Sequence, residues 1–286
     1  MPAIIKKAKA ENSVVLFGDE VSFATWGSLS RTWAPIGQQP TVKTTGIRKG
    51  LKMFGTIELK GGSFQYLHSL AYELKPKSLK LLKEAKLPTG LLALLKTLKN
   101  QKYATKQLFL TALNSLAGEQ LINEHQSIIL QQTETSGRFN GESYVEFLKQ
   151  LLAYYEGKIV LIEDGAPYHG SHVVKEFKLA NVARLTIERL PAFSPDYNPI
   201  EKLWKNTKKD STHLKYFKTF EDLHASVIKT FKTYMQDAGK ILCVMKKCVR
   251  ILRSLCDFYR PKPEIIYLKD YMLITEYRPF RFLKPE

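Results

Sequence analysis

The stretch that most limits what this chain can fold into is Ile159-Val160-Leu161-Ile162, followed at once by Glu163-Asp164-Gly165-Ala166-Pro167-Tyr168-His169. Four apolar residues without polar alternation, stopped by Gly and Pro, predict a strand covered on both faces, as at the centre of an α/β sheet. Its acids then sit at the carboxyl end of a central strand, where open α/β sheets place ligands. An earlier segment, Val14-Val15-Leu16-Phe17-Gly18-Asp19-Glu20, has the same form. A second short strand is expected over Ala183 to Ile187. After it, Leu190-Pro191-Ala192-Phe193-Ser194-Pro195-Asp196-Tyr197-Asn198-Pro199-Ile200-Glu201-Lys202-Leu203-Trp204 reads as a broken loop running into a helix. Asn198 is expected as its N-cap and Pro199 as its first residue.

Three acids thus end strands or open a helix: Asp19, Asp164 and Glu201. Taken singly, each has a plain structural reading as a strand-end turn, a turn former before Gly165, or a capping-box partner of Asn198. Converging, they could hold Mg²⁺ or Mn²⁺ through carboxylate oxygens, leaving other positions to water and a substrate phosphate. Two such ions activate a nucleophile and stabilise the leaving oxygen in phosphodiester cleavage. Convergence requires the Asp19 and Asp164 strands to be neighbours, with the Glu201 helix anchored over them by Trp204. Strand alternation predicts that Glu20 and Glu163 face the opposite side of the sheet.

Asp-Gly-Ala-x-Tyr-His at residues 164–169, followed by Leu-Pro-x-x-Ser-Pro-x-x-Asn-Pro-Ile-Glu-x-x-Trp at 190–204, resembles the catalytic half of DDE transposases. It is most similar to the bacterial insertion sequence 630 branch of the mariner-like superfamily, and Trp33-Ala34-Pro35-Ile36-Gly37-Gln38 matches a segment of that family too. The resemblance implies a ribonuclease H-like mixed sheet flanked by helices, with Asp19, Asp164 and Glu201 as catalytic metal ligands for two Mg²⁺ or Mn²⁺ ions. His169 matches a family histidine; it would touch a phosphate or a metal-bound water, or make a structural hydrogen bond. The implied activity is cleavage at transposon ends followed by joining of the 3′-hydroxyl to target DNA. The alternatives are a silent DNA-binding remnant and a ribonuclease H-like nuclease that cuts without joining. A homodimer is expected in the active complex.

The resemblance also marks what differs. Residues 70–128 interrupt it, and are read as a helical basic insertion between the two parts of a catalytic domain at 1–69 and 129–220. Residues 221–286 form C-terminal helices and a tail. Within the insertion, Pro88-Thr89-Gly90 divides a leucine-rich stretch into two helices, and Ala71 to Leu110 carries nine lysines against two glutamates. Ser127 to Thr133 is expected as a strand resuming the sheet and leading, through a helix over Gly141 to Tyr155, to a parallel crossover into Ile159. Further helices are expected over His172–Leu179 and over 220–256, broken near Asp237. Only 18 residues precede Asp19, too few for the helix-turn-helix region of complete family members, so end recognition is expected from a companion chain, from another reading frame joined by frameshifting, or not at all.

The formal charge of +17 points to a polyanionic partner, DNA in this reading. Lys202, Lys205, Lys208 and Lys209 on the Glu201 helix are the candidate DNA-binding residues. No apolar run is long enough for a membrane span, no signal peptide opens the chain, and the three cysteines read as reduced core thiols. A cytoplasmic, nucleoid-associated bacterial protein is therefore expected. No zinc spacing, nucleophile elbow or phosphate-binding loop is present.

Overall fold

A computed structural model describes residues 2–26, 33–38, 41–43, 49–191 and 197–246. The chain opens with helix α1 (Pro2–Ala10) and enters strand β1 (Val14–Ala24), then β2 (Gly50–Glu58) and β3 (Phe64–His68). These three run antiparallel as successive neighbours, the expected strand–hairpin unit. Residues 70–136 follow: β4 (Leu70–Glu73), α2 (Pro76–Glu84), α3 (Thr89–Leu95), β5 (Lys102–Tyr103), α4 (Lys106–Ala117), α5 (Glu119–Thr133) and β6 (Glu134–Ser136). The chain then takes α6 (Gly141–Tyr154), β7 (Ile159–Glu163), α7 (His172–Ala180), β8 (Leu185–Arg189), α8 (Ile200–Ser211) and α9 (Phe220–Met235). Residues 238–246 are again helical, after the expected break.

The main sheet has five strands in the order β3-β2-β1-β7-β8. β7 lies parallel to both β1 and β8, so the sheet is mixed and has the ribonuclease H-like strand order. Every residue of β7 is buried, as its unbroken apolar run predicts. Alternate residues feed two cores. Val15, Phe17, Val160 and Ile162 pack with Ile200, Leu203, Trp204, Val227 and Phe231 from α8 and α9. Leu16, Ile159 and Leu161 pack with Tyr144, Phe147, Leu148 and Leu151 of α6 and Val174 of α7. Helices therefore cover both faces.

Residues 70–136 build a third core, in which Tyr72, Leu82, Leu91, Leu95, Phe109, Leu113, Ile122 and Ile129 close on one another. Beneath these helices lies a small sheet ordered β5-β4-β6. Lys75, Lys77, Lys80, Lys83, Lys86, Lys96, Lys99, Lys102 and Lys106 are all exposed. A side-chain bond ties this part to the main sheet, Ser136 Oγ donating to the Gly50 carbonyl at 2.7 Å, and Ser69 Oγ donates to the Arg138 carbonyl at 3.0 Å, joining the chain on either side of it.

Five local expectations are corrected. Ser127 to Thr133 is the last half of α5, not a strand. Its buried residues Ile122, Ile129 and Thr133 are spaced for a helix face, and the contiguous Ile128-Ile129-Leu130 run disguises that period. The crossover into β7 accordingly does not start there: β6 belongs to the small sheet, and the parallel neighbours of β7 are β1 and β8. The strand placed at Ala183 begins two residues later, at Leu185. Asn198 does not cap α8, which starts at Ile200 after Pro199 with no side-chain cap. Cys243 is a free, exposed thiol rather than a core one; Cys248, Cys256 and the tail at 261–286 lie outside the described residues. No helix among the described residues is long and apolar enough to cross a membrane.

Candidate active site

β1 and β7 are parallel neighbours in register from Val14 opposite Ile159 to Phe17 opposite Ile162, which brings the acidic ends of both strands to one edge. Asp19 points to the α8 side, where the Trp204 indole Nε1 donates to its Oδ2 at 3.1 Å. The indole can lie there because Gly55, which faces Asp19 across β1–β2, has no side chain. A Cβ on Gly55 would come within 2.7 Å of Trp204 Cζ2. The Asn198 Nδ2 donates to the Gly18 carbonyl at 3.0 Å, pinning the entry of α8 to β1. With the Asn198 side chain used in this way, and its Oδ1 unpartnered, no capping box forms with Glu201.

Asp19 and Glu201 share a cleft of about 350 Å³ with Glu20, Val21, Ser22, Trp204, Lys205, Lys208 and His213. Carboxylate oxygens of Asp19, Glu20 and Asp164 lie within 4.8 Å of one another. Asp19 and Asp164 are therefore brought together as expected. Glu201 lines the cleft but stands outside that close group, and Glu20, expected to point away, belongs to it. Burial, with the charges of Glu20, Asp164 and Glu201, pushes the Asp19 carboxyl up to about 7, against a bond from the Glu20 backbone that lowers it. Burial and the Glu20 charge raise Asp164 as well. Close carboxylates that resist ionisation are a hard-oxygen set whose repulsion a divalent cation would relieve, so the residues fit Mg²⁺ or Mn²⁺.

Behind the sheet edge lies a second, buried network. His169 is 2% exposed, with Nε2 3.1 Å from Glu20 Oε1 and Nδ1 3.1 Å from Glu163 Oε1. Nδ1 also lies 3.3 Å from the Asp164 carbonyl oxygen. Tyr144 donates its hydroxyl to Glu163, and Tyr168 donates to Glu20. Burial alone would lower the His169 pKa, but the Glu20 bond and the charges of Glu163 and Glu20 hold it above its ordinary value. Burial lifts Glu163 to about 7 despite His169 and Tyr144. Alternation thus turns Glu163 away from the cleft as expected, while Glu20 serves both sides. His169 itself makes internal bonds and does not line the cleft.

Of the candidate DNA-binding lysines, Lys205 and Lys208 line the cleft, and Lys202 and Lys209 are exposed elsewhere on α8. The spacing of Glu201, Trp204, Lys205 and Lys208 is that of one helix face. Sequence reasoning missed two residues of this wall. Glu20 carried a signal, its adjacency to Asp19; His213, an isolated histidine beyond a helix end, carried none.

Residues 119–224 match the family described as DDE superfamily endonuclease; the match includes Asp164 and Glu201 and begins after Asp19. No curated protein sequence matches the chain. Among solved structures, the chain is similar to one titled the Mos1 strand transfer complex, with 12% identity and a TM-score of 0.49 over 91% of this chain and 59% of that one. The catalytic domain of Mos1 mariner transposase aligns at 12% identity and a TM-score of 0.35, over 87% of this chain and 88% of that one. The chain thus spans 59% of the length of the chain in the strand transfer complex.

Proposed function

We propose that this chain is the catalytic part of a cut-and-paste DNA transposase of the mariner-like, insertion sequence 630 type. The observation that carries the reading is the close set of carboxylates from Asp19, Glu20 and Asp164 at the ends of two parallel strands, of which Asp19 and Glu20 share a cleft with Glu201. The endonuclease family match over the second part of the chain, the motif residues 164–169 and 190–204, and the basic charge support it.

In this reading Asp19 and Asp164 hold Mg²⁺ or Mn²⁺, with Glu201 completing the set for two ions. When bound, the ions would supply an activated attacking oxygen and charge neutralisation on the phosphate and leaving oxygen. The chain's own residues do the positioning. Trp204 fixes the Asp19 carboxylate, Asn198 fixes the α8 entry, and Lys205 and Lys208 draw phosphates toward an acidic cleft that would otherwise repel them. In cleavage a water oxygen bonds to phosphorus as the bond from phosphorus to the 3′ oxygen breaks, leaving a 3′-hydroxyl and a 5′-phosphate. In joining, that 3′-hydroxyl attacks a target phosphodiester, whose own 3′ oxygen leaves. In this reading residues 70–128 are an insertion between the two parts of the catalytic domain, 1–69 and 129–220. The reading carries with it a homodimer on two DNA ends, which sedimentation of the DNA complex tests.

The direct test uses labelled duplexes bearing candidate element ends and a target plasmid, with Mg²⁺ or Mn²⁺. Metal-dependent cleavage and joined products that vanish in Asp19→Asn and Asp164→Asn are expected. Cleavage without joining would reduce the activity to a nuclease. Binding without cleavage, identical in wild type and variants, would overturn the enzyme reading.

A further inference from the structure

The cleft has two chemically opposite walls on one helix. Glu201, Lys205 and Lys208 recur at i, i+4 and i+7 along α8, so the face that is acidic at its first turn is cationic two turns later. At 1.5 Å per residue, Glu201 and Lys208 are separated by about 10 Å along the helix axis. A DNA strand rising 3.4 Å per nucleotide covers that distance in roughly three nucleotides.

His213 extends the cationic wall. Its backbone N–H donates to the Lys208 carbonyl at 2.9 Å, so the imidazole is carried on the same turn that ends the helix. His213 lines the cleft, and its Nδ1 is buried without a hydrogen-bond partner among the described residues. A buried nitrogen in that position is tolerated better as a bare lone pair than as an orphaned N–H, which leaves the proton on Nε2 as a donor. Among the described residues no acceptor takes that donor's hydrogen bond.

We propose that Lys208 and His213 together form a phosphate subsite for the DNA strand, about three nucleotides from the reacting phosphate, and so set the direction in which the strand leaves the acids along α8. This inference rests on the acids being the reacting centre; the subsite itself requires only DNA binding. Lys208 supplies a mobile charge and His213 a fixed donor, the pairing that holds one anionic oxygen pair in place.

The test is binding of a fluorescent 20-bp duplex by the full-length chain carrying Asp164→Asn, across a salt series. Lys208→Gln is expected to weaken binding about tenfold and to lower the slope of log affinity against log salt by about one. His213→Ala is expected to weaken binding by a similar factor, and His213→Gln, which keeps an N–H donor, to recover most of it. Because both residues would hold one phosphate, the double variant loses less than the product of the two single losses. Lys229→Gln, an exposed lysine on α9, is the charge control. Losses that multiply, no recovery in His213→Gln, or an equal loss in Lys229→Gln would overturn the subsite while leaving the transposase reading standing. Failure of the chain to bind DNA at all would remove both.

Discussion

Gly55→Ala is a one-carbon change placed where it should act on both fold and chemistry. Gly55 faces Asp19 across the β1–β2 pair, and the added Cβ would stand 2.7 Å from Trp204 Cζ2, nearer than carbon atoms tolerate. The indole has little room to yield: it is 4% exposed and its ring lies 6.0 Å from those of both Phe64 and Phe231. Overpacking of this kind costs about 1–3 kcal/mol. For a domain of this size, that amounts to roughly 2–12 °C in melting temperature. Trp204→Phe removes the indole atoms that would clash, together with the N–H bonded to Asp19. Hence Gly55→Ala should cost under about 1 kcal/mol in the Trp204→Phe background, a coupling of about 1–2 kcal/mol. Urea unfolding of the four proteins measures it through the midpoints, with m unchanged. Additive losses would refute the close approach of Gly55 and Trp204, and with it the claim that a missing side chain on β2 seats the group that aims Asp19.

Two further outcomes follow from the buried acids. Asp19 titrates near 7 in the fold against 3.8 as an ordinary carboxyl, and burial is the main cause. Between those values the folded chain keeps a proton that the unfolded chain releases, so metal-free stability should fall as pH rises through the window and level off above 7. Mg²⁺ or Mn²⁺ needs the ionised form, so the rise in melting temperature on adding metal should grow through the same window. Asp19→Asn should abolish the metal effect and leave the pH dependence of the other shifted groups, Glu163 at about 7 among them; a metal shift constant from pH 5 to 8 would contradict the assignment. On the buried side, His169→Ala leaves Glu20 and Glu163 without their ring-nitrogen partner and should cost about 1–3 kcal/mol. Adding Glu163→Gln should recover part of that loss in urea unfolding, and no recovery would mean that His169 acts by packing alone.

What could be read from the chain depended on how many places encode the same fact. β7 was legible because burial on both faces leaves a run of four apolar residues that no surface segment needs. The hairpin at β2–β3 was legible from Lys60-Gly61-Gly62 between apolar strands. The meeting of Asp19 with Asp164 was legible only conditionally, because nothing local states that β1 and β7 are neighbours; pairing across the intervening residues does. Ile128-Ile129-Leu130 misled because three adjacent apolar residues satisfy both periods, and only the wider spacing of Ile122, Ile129 and Thr133 decides for a helix. Asn198 misled because a good capping residue was drawn instead to the Gly18 carbonyl, a tertiary competitor invisible from its neighbours in sequence. Glu20 escaped because alternation fixes where a strand residue's Cβ points but not where a long carboxylate ends.

The strand order also sets when the cleft can exist during synthesis. β1 waits beside β2 and β3 for a partner that is encoded only at Ile159–Glu163, and the covering helix α8 is encoded later still. The contacts of the third core, by contrast, all lie between Leu70 and Leu130. At about 5–20 residues per second, the ribosome therefore delivers the helices of this core several seconds before the acids can meet. A chain interrupted anywhere upstream of Ile159 would be a basic, partly folded protein in which Asp19 has no Asp164 to meet, so the emerging polypeptide passes most of its synthesis without the acidic cluster.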